Sequence, residues 1–198
     1  MTTENILYAE NIRQEIYGLL ATFFVLPSQI HLDNFGALAD ALKNVSPAAA
    51  RFMELEQNDI LFSSEELTVE FSRLFVGPYK VLAPPYGSIY LETGGQIMGS
   101  STVDVASRYL SAGLEISEDF KQAPDHISAE FEFMQFLIFK EIEAIGQENI
   151  AETMKWLGLQ RSFLGDHLCM WLGDFKNKVI ENTKTSFYKT ITQAAFVF

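Results

Sequence analysis

From Ile127 onward the apolar residues Phe131, Met134, Leu137, Ile138 and Ile142 fall three and four positions apart, with Pro124 and Asp125 ahead of them and Gly146 behind. A segment that buries one stripe at this period must be a helix lying against a core, because a strand would turn alternate residues outward. The same spacing recurs along the chain. It runs through Ile12, Ile16, Leu19, Leu20, Phe23 and Phe24 up to Pro27, and through Phe35, Leu38, Ala39 and Leu42 behind Asp33 or Asn34 as N-cap. Ser46 and Pro47 open a third helix that carries Phe52, Met53 and Leu55 and ends before Asn58. Ser63 and Glu66 have capping-box spacing ahead of Leu67, Phe71, Leu74 and Phe75, and Gly77 and Pro78 end that helix. Further helical patterns begin at Ser101, with Asp104 three residues on and a stop at Gly113, then at Ile150, Met154 and Leu157, from Phe163 to Phe175, and from Phe187 to the end. With no alternating run and no hairpin signal, the expected fold is all-α: one globular domain over residues 1–198 with about eight to ten helices.

Two stretches resist this pattern. Residues 77–99 hold three prolines and five glycines, and residues 114–124 form a second loop. Prolines stiffen a loop, and Tyr79, Tyr86 and Tyr90 offer flat amphipathic surface, so the first loop is either a packed structural element or a peptide-reading surface. The residues alone leave both open.

Charge narrows the partners. Lys and Arg number 14 against 26 Asp and Glu, a formal net charge of −12, which argues against nucleic acid or an anionic membrane surface and favours a cationic partner such as a basic peptide. The N-terminal residues lack the basic and apolar regions of an export signal, and the run from Leu19 to Leu26 is too short to span a bilayer. An unexported protein without stable membrane insertion is expected. Cys169, alone in the chain, excludes an internal disulfide, and its apolar neighbours place it in a packed position.

Candidate chemistry is sparse. The histidines are His31, His126 and His167, and His126 with Glu130 has the i, i+4 spacing of two metal ligands, yet H-E-x-x-H is absent. The alternative has Asp125 capping the helix while His126 bonds a nearby backbone or loop group. Glu130, Glu132, Glu141 and Glu143 could serve as acid and base only if burial or a neighbour drove their pKa values apart, which the sequence does not show, and they read as a solvated helix face. No nucleophile elbow or phosphate-cradling glycine motif is present, so neither catalysis nor a cofactor is expected.

The stretch Glu70 to Tyr90, EFSRLFVGPYKVLAPPYGSIY, with Pro124 to Leu137, PDHISAEFEFMQFL, resembles the TorD/DmsD family of redox-enzyme maturation chaperones. Phe71, Leu74, Phe75, Gly77 and Pro78 carry the first element, which Pro84, Pro85, Tyr86, Ser88 and Tyr90 continue. Pro124, Asp125, His126, Glu130, Glu132, Phe133 and Met134 carry the second. Tyr86 departs from the tryptophan of several relatives. The resemblance implies a TorD-like, non-catalytic cytoplasmic chaperone. Such a protein binds the twin-arginine signal peptide and apo form of a molybdopterin-containing oxidoreductase and delays export until cofactor insertion and folding are complete. It implies Phe71, Leu74, Phe75, Pro85, Tyr86, Pro124, Asp125 and His126 as the signal-peptide and client-binding residues, with Asp125 pairing an arginine and His126 bonding a peptide carbonyl. Family links to weak guanine-nucleotide binding and domain-swapped oligomers find no deciding motif here, and a monomer or a homodimer formed by domain swapping fits the long loops equally. Two other readings are a small helical metalloenzyme using His126, Glu130 and His167, and a generic helical interaction subunit.

Overall fold

A computed structural model describes residues 2–27, 29–56, 63–77, 80–95 and 97–198, with the backbone alone for 29–32 and 55–56. Its elements are α1 (Thr3–Thr22), α2 (Gln29–Val45), α3 (Pro47–Glu56), α4 (Ser64–Phe71), α5 (Ser88–Leu91), α6 (Ser100–Ser111), α7 (Ile127–Gly146), α8 (Ile150–Phe163), α9 (Cys169–Asn182) and α10 (Ser186–Val197). Wider π-turns follow α4, at Ser72–Val76, and α8, at Leu164–Leu168. Among the described residues there is no strand, and one isolated antiparallel bridge joins Tyr86 to His126.

The centre of the molecule is the pairing of α1 with α7. Ile16, Leu20, Phe23 and Phe24 of α1 and its end are buried, as are Phe131, Met134, Leu137 and Ile138 of α7. Around this pair α8 packs on α7, α2 on α1, and α10 on both α3 and α9. Phe24 meets Phe75, Phe131 and Phe175 with ring centroids 5.6–6.1 Å apart, so one aromatic cluster joins four segments distant in sequence. Glu70, buried at the end of α4, accepts two bonds from Arg73, one from the Thr183 hydroxyl and one from the Lys184 backbone N–H. Burial alone would raise this carboxyl, but the guanidinium and the donors around it hold it below the usual range.

Several local expectations are met. The Ser63 and Glu66 capping box is formed in both directions. Gly77 has φ +62°, and a Cβ there would stand 2.6 Å from the Lys80 carbonyl oxygen, so glycine is required. Gly113 ends α6 at φ +86°.

Others are corrected. The second helix begins at Gln29, so Asp33 and Asn34 lie inside it rather than at its cap. Asp104 does not cap α6: the Ser101 N–H is capped by Glu92 Oε1 at 2.7 Å, while Asp104 pairs with Arg108 and His167. Ile150 and Met154 are 78% and 62% exposed, because α8 turns Trp156, Gln160 and Phe163 inward instead. Cys169, expected to be packed, is exposed at the first turn of α9.

Candidate functional site

The two sequence blocks singled out above meet at one place. Residues 84–88 run alongside residues 123–127. The Ile127 N–H donates to the Pro85 carbonyl and the Gly87 N–H to the Asp125 carbonyl, each at 2.9 Å. Asp125 Oδ2 accepts the buried Ser88 N–H at 2.7 Å. Pro84 and Pro124 have no N–H to offer, and their carbonyls accept from the hydroxyls of Tyr90 and Tyr109.

At this junction the expected roles of Asp125 and His126 are exchanged. His126 is the N-cap of α7, its Nδ1 facing the Ser128 N–H at 3.3 Å and the Ser128 hydroxyl at 2.8 Å. Asp125 instead fixes the neighbouring loop. The His126 ring stands edge-on to Tyr86 at 5.1 Å and to Phe120 at 6.1 Å. Burial of the imidazole pushes its pKa down to about 4 against the opposing pull of Asp125, so it is neutral at physiological pH.

One turn along α7, Glu130 contradicts the solvated face expected for it. Its side chain is wholly buried, Oε2 accepts the Trp171 Nε1–H at 3.2 Å, and Oε1 has no partner. Desolvation raises this carboxyl well above the carboxylate range, opposed by the indole bond and reinforced by Asp125. Trp171 stacks on Tyr90 at 5.5 Å, and a Cβ on Gly87 would approach its Nε1 to 3.0 Å. Glu141 is also buried, accepting from Gln160 Nε2, and its carboxyl is likewise raised by burial. Glu132 and Glu143 remain on the surface.

The eight residues implied as client-binding therefore divide. Phe71, Leu74 and Phe75 belong to the core, where Phe75 packs on Phe24, Phe71, Phe175 and Tyr188. Pro85, Asp125 and His126 are buried at the junction, and Tyr86 and Pro124 are half-buried beside it. Pro78, Tyr79 and the His31 side chain lie outside the described residues. His126, Glu130 and His167 do not form a ligand set: His167 Nε2 lies 2.7 Å from Asp104 Oδ2, and the other two are engaged by Ser128 and Trp171. Among the described residues no three His, Cys, Asp or Glu side chains are grouped as metal ligands.

Next to the junction opens a groove of about 530 Å³ between loop 114–120 and α7. Tyr109, Leu114, Ile116, Phe120, Phe133 and Phe136 give it an apolar lining, and Glu115, Asp119 and Glu132 are its charged members. Phe120 belongs to both features, facing His126 and the groove. Sequence reasoning passed over Leu114, Ile116, Phe120 and Phe136; the available signal was the presence of three large apolar residues in an otherwise acidic loop.

A family model described as nitrate reductase delta subunit matches residues 35–177. The chain is 26% identical over 133 residues to chaperone protein TorD of Aliivibrio fischeri, a match covering 67% of this chain and 60% of that protein. It therefore spans less than two thirds of that relative. TorD of Vibrio atlanticus is 25% identical over 202 residues, covering 94% of this chain and 90% of the relative. The Tat proofreading chaperone DmsD of Salmonella typhi is 25% identical over 151 residues, covering 76% and 64%. Among solved structures, an Archaeoglobus fulgidus protein described as a redox enzyme maturation protein superposes with a TM-score of 0.56 at 23% identity over 92% of this chain and 91% of that one, a likeness of fold.

Proposed function

The chain belongs to the nitrate reductase delta subunit family, the family of the TorD and DmsD chaperones, and we propose that it is a cytoplasmic maturation chaperone for a molybdopterin-containing oxidoreductase. In this reading it is no enzyme. It holds the apo form of its client through the client's twin-arginine signal peptide until the cofactor is inserted, and only then permits export. The observation that carries the reading is the junction of residues 84–88 with 123–127 beside an apolar groove with acidic members. A signal peptide joins a basic segment to an apolar one, and this surface supplies the complement of each. No described helix is long and apolar enough to cross a membrane, in keeping with a chaperone that meets its client before export.

Co-purification from the native cytosol, with wild type beside the Asp125→Ala/His126→Ala double variant and captured proteins identified by mass spectrometry, tests this. Wild type is expected to retain an unprocessed twin-arginine molybdoenzyme that the variant loses. Capture of no such precursor during anaerobic, molybdate-replete growth would overturn the assignment.

A further inference from the structure

Phe71, Leu74 and Phe75 are core residues, and Asp125 and His126 are spent on backbone and ring contacts. Asp125 Oδ1, which is buried, and His126 Nε2, in a residue only 3% exposed, are the polar atoms among them without a hydrogen bond, and none of the five presents open apolar surface to a peptide. The surface open to a ligand is the adjoining groove.

Resting on the signal-peptide reading above, we propose that the groove between loop 114–120 and α7 is where the apolar part of the leader lies, and that Glu132 is the residue that recognises a leader arginine. Glu132 emerges from α7 between Phe133 and Ala129, both in the groove wall, and makes no hydrogen bond or ion pair with a described residue. The other surface glutamate of α7, Glu143, is already paired with Lys140. No lysine or arginine lines the groove, and the nearby Lys121 donates its ammonium to the Glu118 carbonyl. The apolar wall around Glu132 disfavours the charged form and raises its carboxyl, so a guanidinium arriving there relieves an existing cost. Glu115 and Asp119 on the facing loop extend the acidic surface, so the arginines meet these carboxylates while the apolar run lies on Phe120, Phe133 and Phe136. The residues of the junction are then positioning residues. They hold Phe120 in the groove lining through the ring of His126, which Tyr86 packs from another side.

Two fluorescein-labelled peptides test the assignment by anisotropy: one with adjacent arginines ahead of an Ala/Leu run, and its counterpart with both arginines replaced by glutamine. The full-length chain is used as wild type, Glu132→Gln, Ala129→Trp, Ile116→Ser and, as control, Glu143→Gln. For the arginine peptide Glu132→Gln is expected to weaken binding roughly tenfold, the loss of one charge-assisted contact. Its affinity for the glutamine peptide stays as wild type. Ala129→Trp, which fills the groove, and Ile116→Ser, which removes an apolar contact from the exposed loop, weaken both peptides; Glu143→Gln changes neither. If wild type binds the arginine peptide and Glu132→Gln, Ala129→Trp and Ile116→Ser bind it equally well, the groove assignment is wrong while leader binding stands. If wild type binds neither peptide, leader binding itself is overturned.

Discussion

The indole N–H of Trp171 donates to Glu130 Oε2 at 3.2 Å, leaving Oε1 buried without a partner. This single bond from α9 is what meets the polar end of an acid wholly buried on α7. It is compatible with the neutral acid, whose burial costs far less than that of the anion.

The sign of the resulting pH dependence follows. The Glu130 carboxyl is raised in the folded protein, so above the unfolded-state value near 4.5 the folded chain holds a proton that the unfolded chain has released. Its contribution to stability therefore falls as pH rises above 4.5. Glu130→Gln, which mimics the neutral acid, is expected to be more stable than wild type by denaturant unfolding, with a larger gain at pH 8 than at pH 5. A gain equal at both would exclude titration of this group.

His126 acts in the opposite sense. Its folded value of about 4 lies below the unfolded 6.5, so between the two the unfolded chain binds the extra proton and stability is lost as pH falls. The shift corresponds to about 3 kcal/mol between pH 7 and pH 4. His126→Asn should flatten the unfolding free energy across this interval, and an unchanged slope in urea titrations at stepped pH would refute the assignment.

At the loop junction two adjacent polar groups differ in weight. Removing the Asp125 acceptor leaves the buried Ser88 N–H unpaired, so Asp125→Ala is expected to cost about 1–3 kcal/mol. The Ser88 hydroxyl is itself buried without a partner, and Ser88→Ala is expected to be neutral or stabilising. Chemical denaturation of the two variants side by side checks the order.

Gly77→Ala is expected to destabilise by about 1–3 kcal/mol, since its φ of +62° and the 2.6 Å approach of an added Cβ to the Lys80 carbonyl oxygen both oppose a side chain. Thermal unfolding compared with Gly113→Ala, where no heavy atom stands within 4 Å of the added Cβ, separates steric conflict from backbone strain.

Periodicity makes most helices legible, because burial of one face writes itself into residue spacing, as Phe131, Met134, Leu137 and Ile138 show. It fails where the chain adds a residue to a turn. The π-turn at Ser72–Val76 keeps Leu74 and Phe75 inward, so the pattern of apolar residues looks like unbroken α-helix. The four-residue α5 hides inside a stretch dominated by glycine and proline. Glu130 and Glu141 were unreadable for another reason: a helical glutamate signals solvent unless a donor such as Trp171 or Gln160 is known to face it, and those partners lie 41 and 19 residues away. At the junction, Tyr86, Asp125 and His126 stand out in the sequence but their division of labour does not, since which of two adjacent residues caps α7 depends on where residues 84–88 pass.

The bonds from Gly87 and Ser88 to Asp125 close a circuit of the chain, bringing two points 37 residues apart back together. Between lie α5, which packs on α9, then α6, whose Val105 and Tyr109 are buried in the core, and last the loop 114–120 that walls the groove, held between α6 and the junction. A loop held at both ends in this way can be lengthened, shortened or reshaped at little cost in closure entropy while the helices beneath keep their places. A fixed frame with an exchangeable wall lets the groove change its lining without disturbing the core.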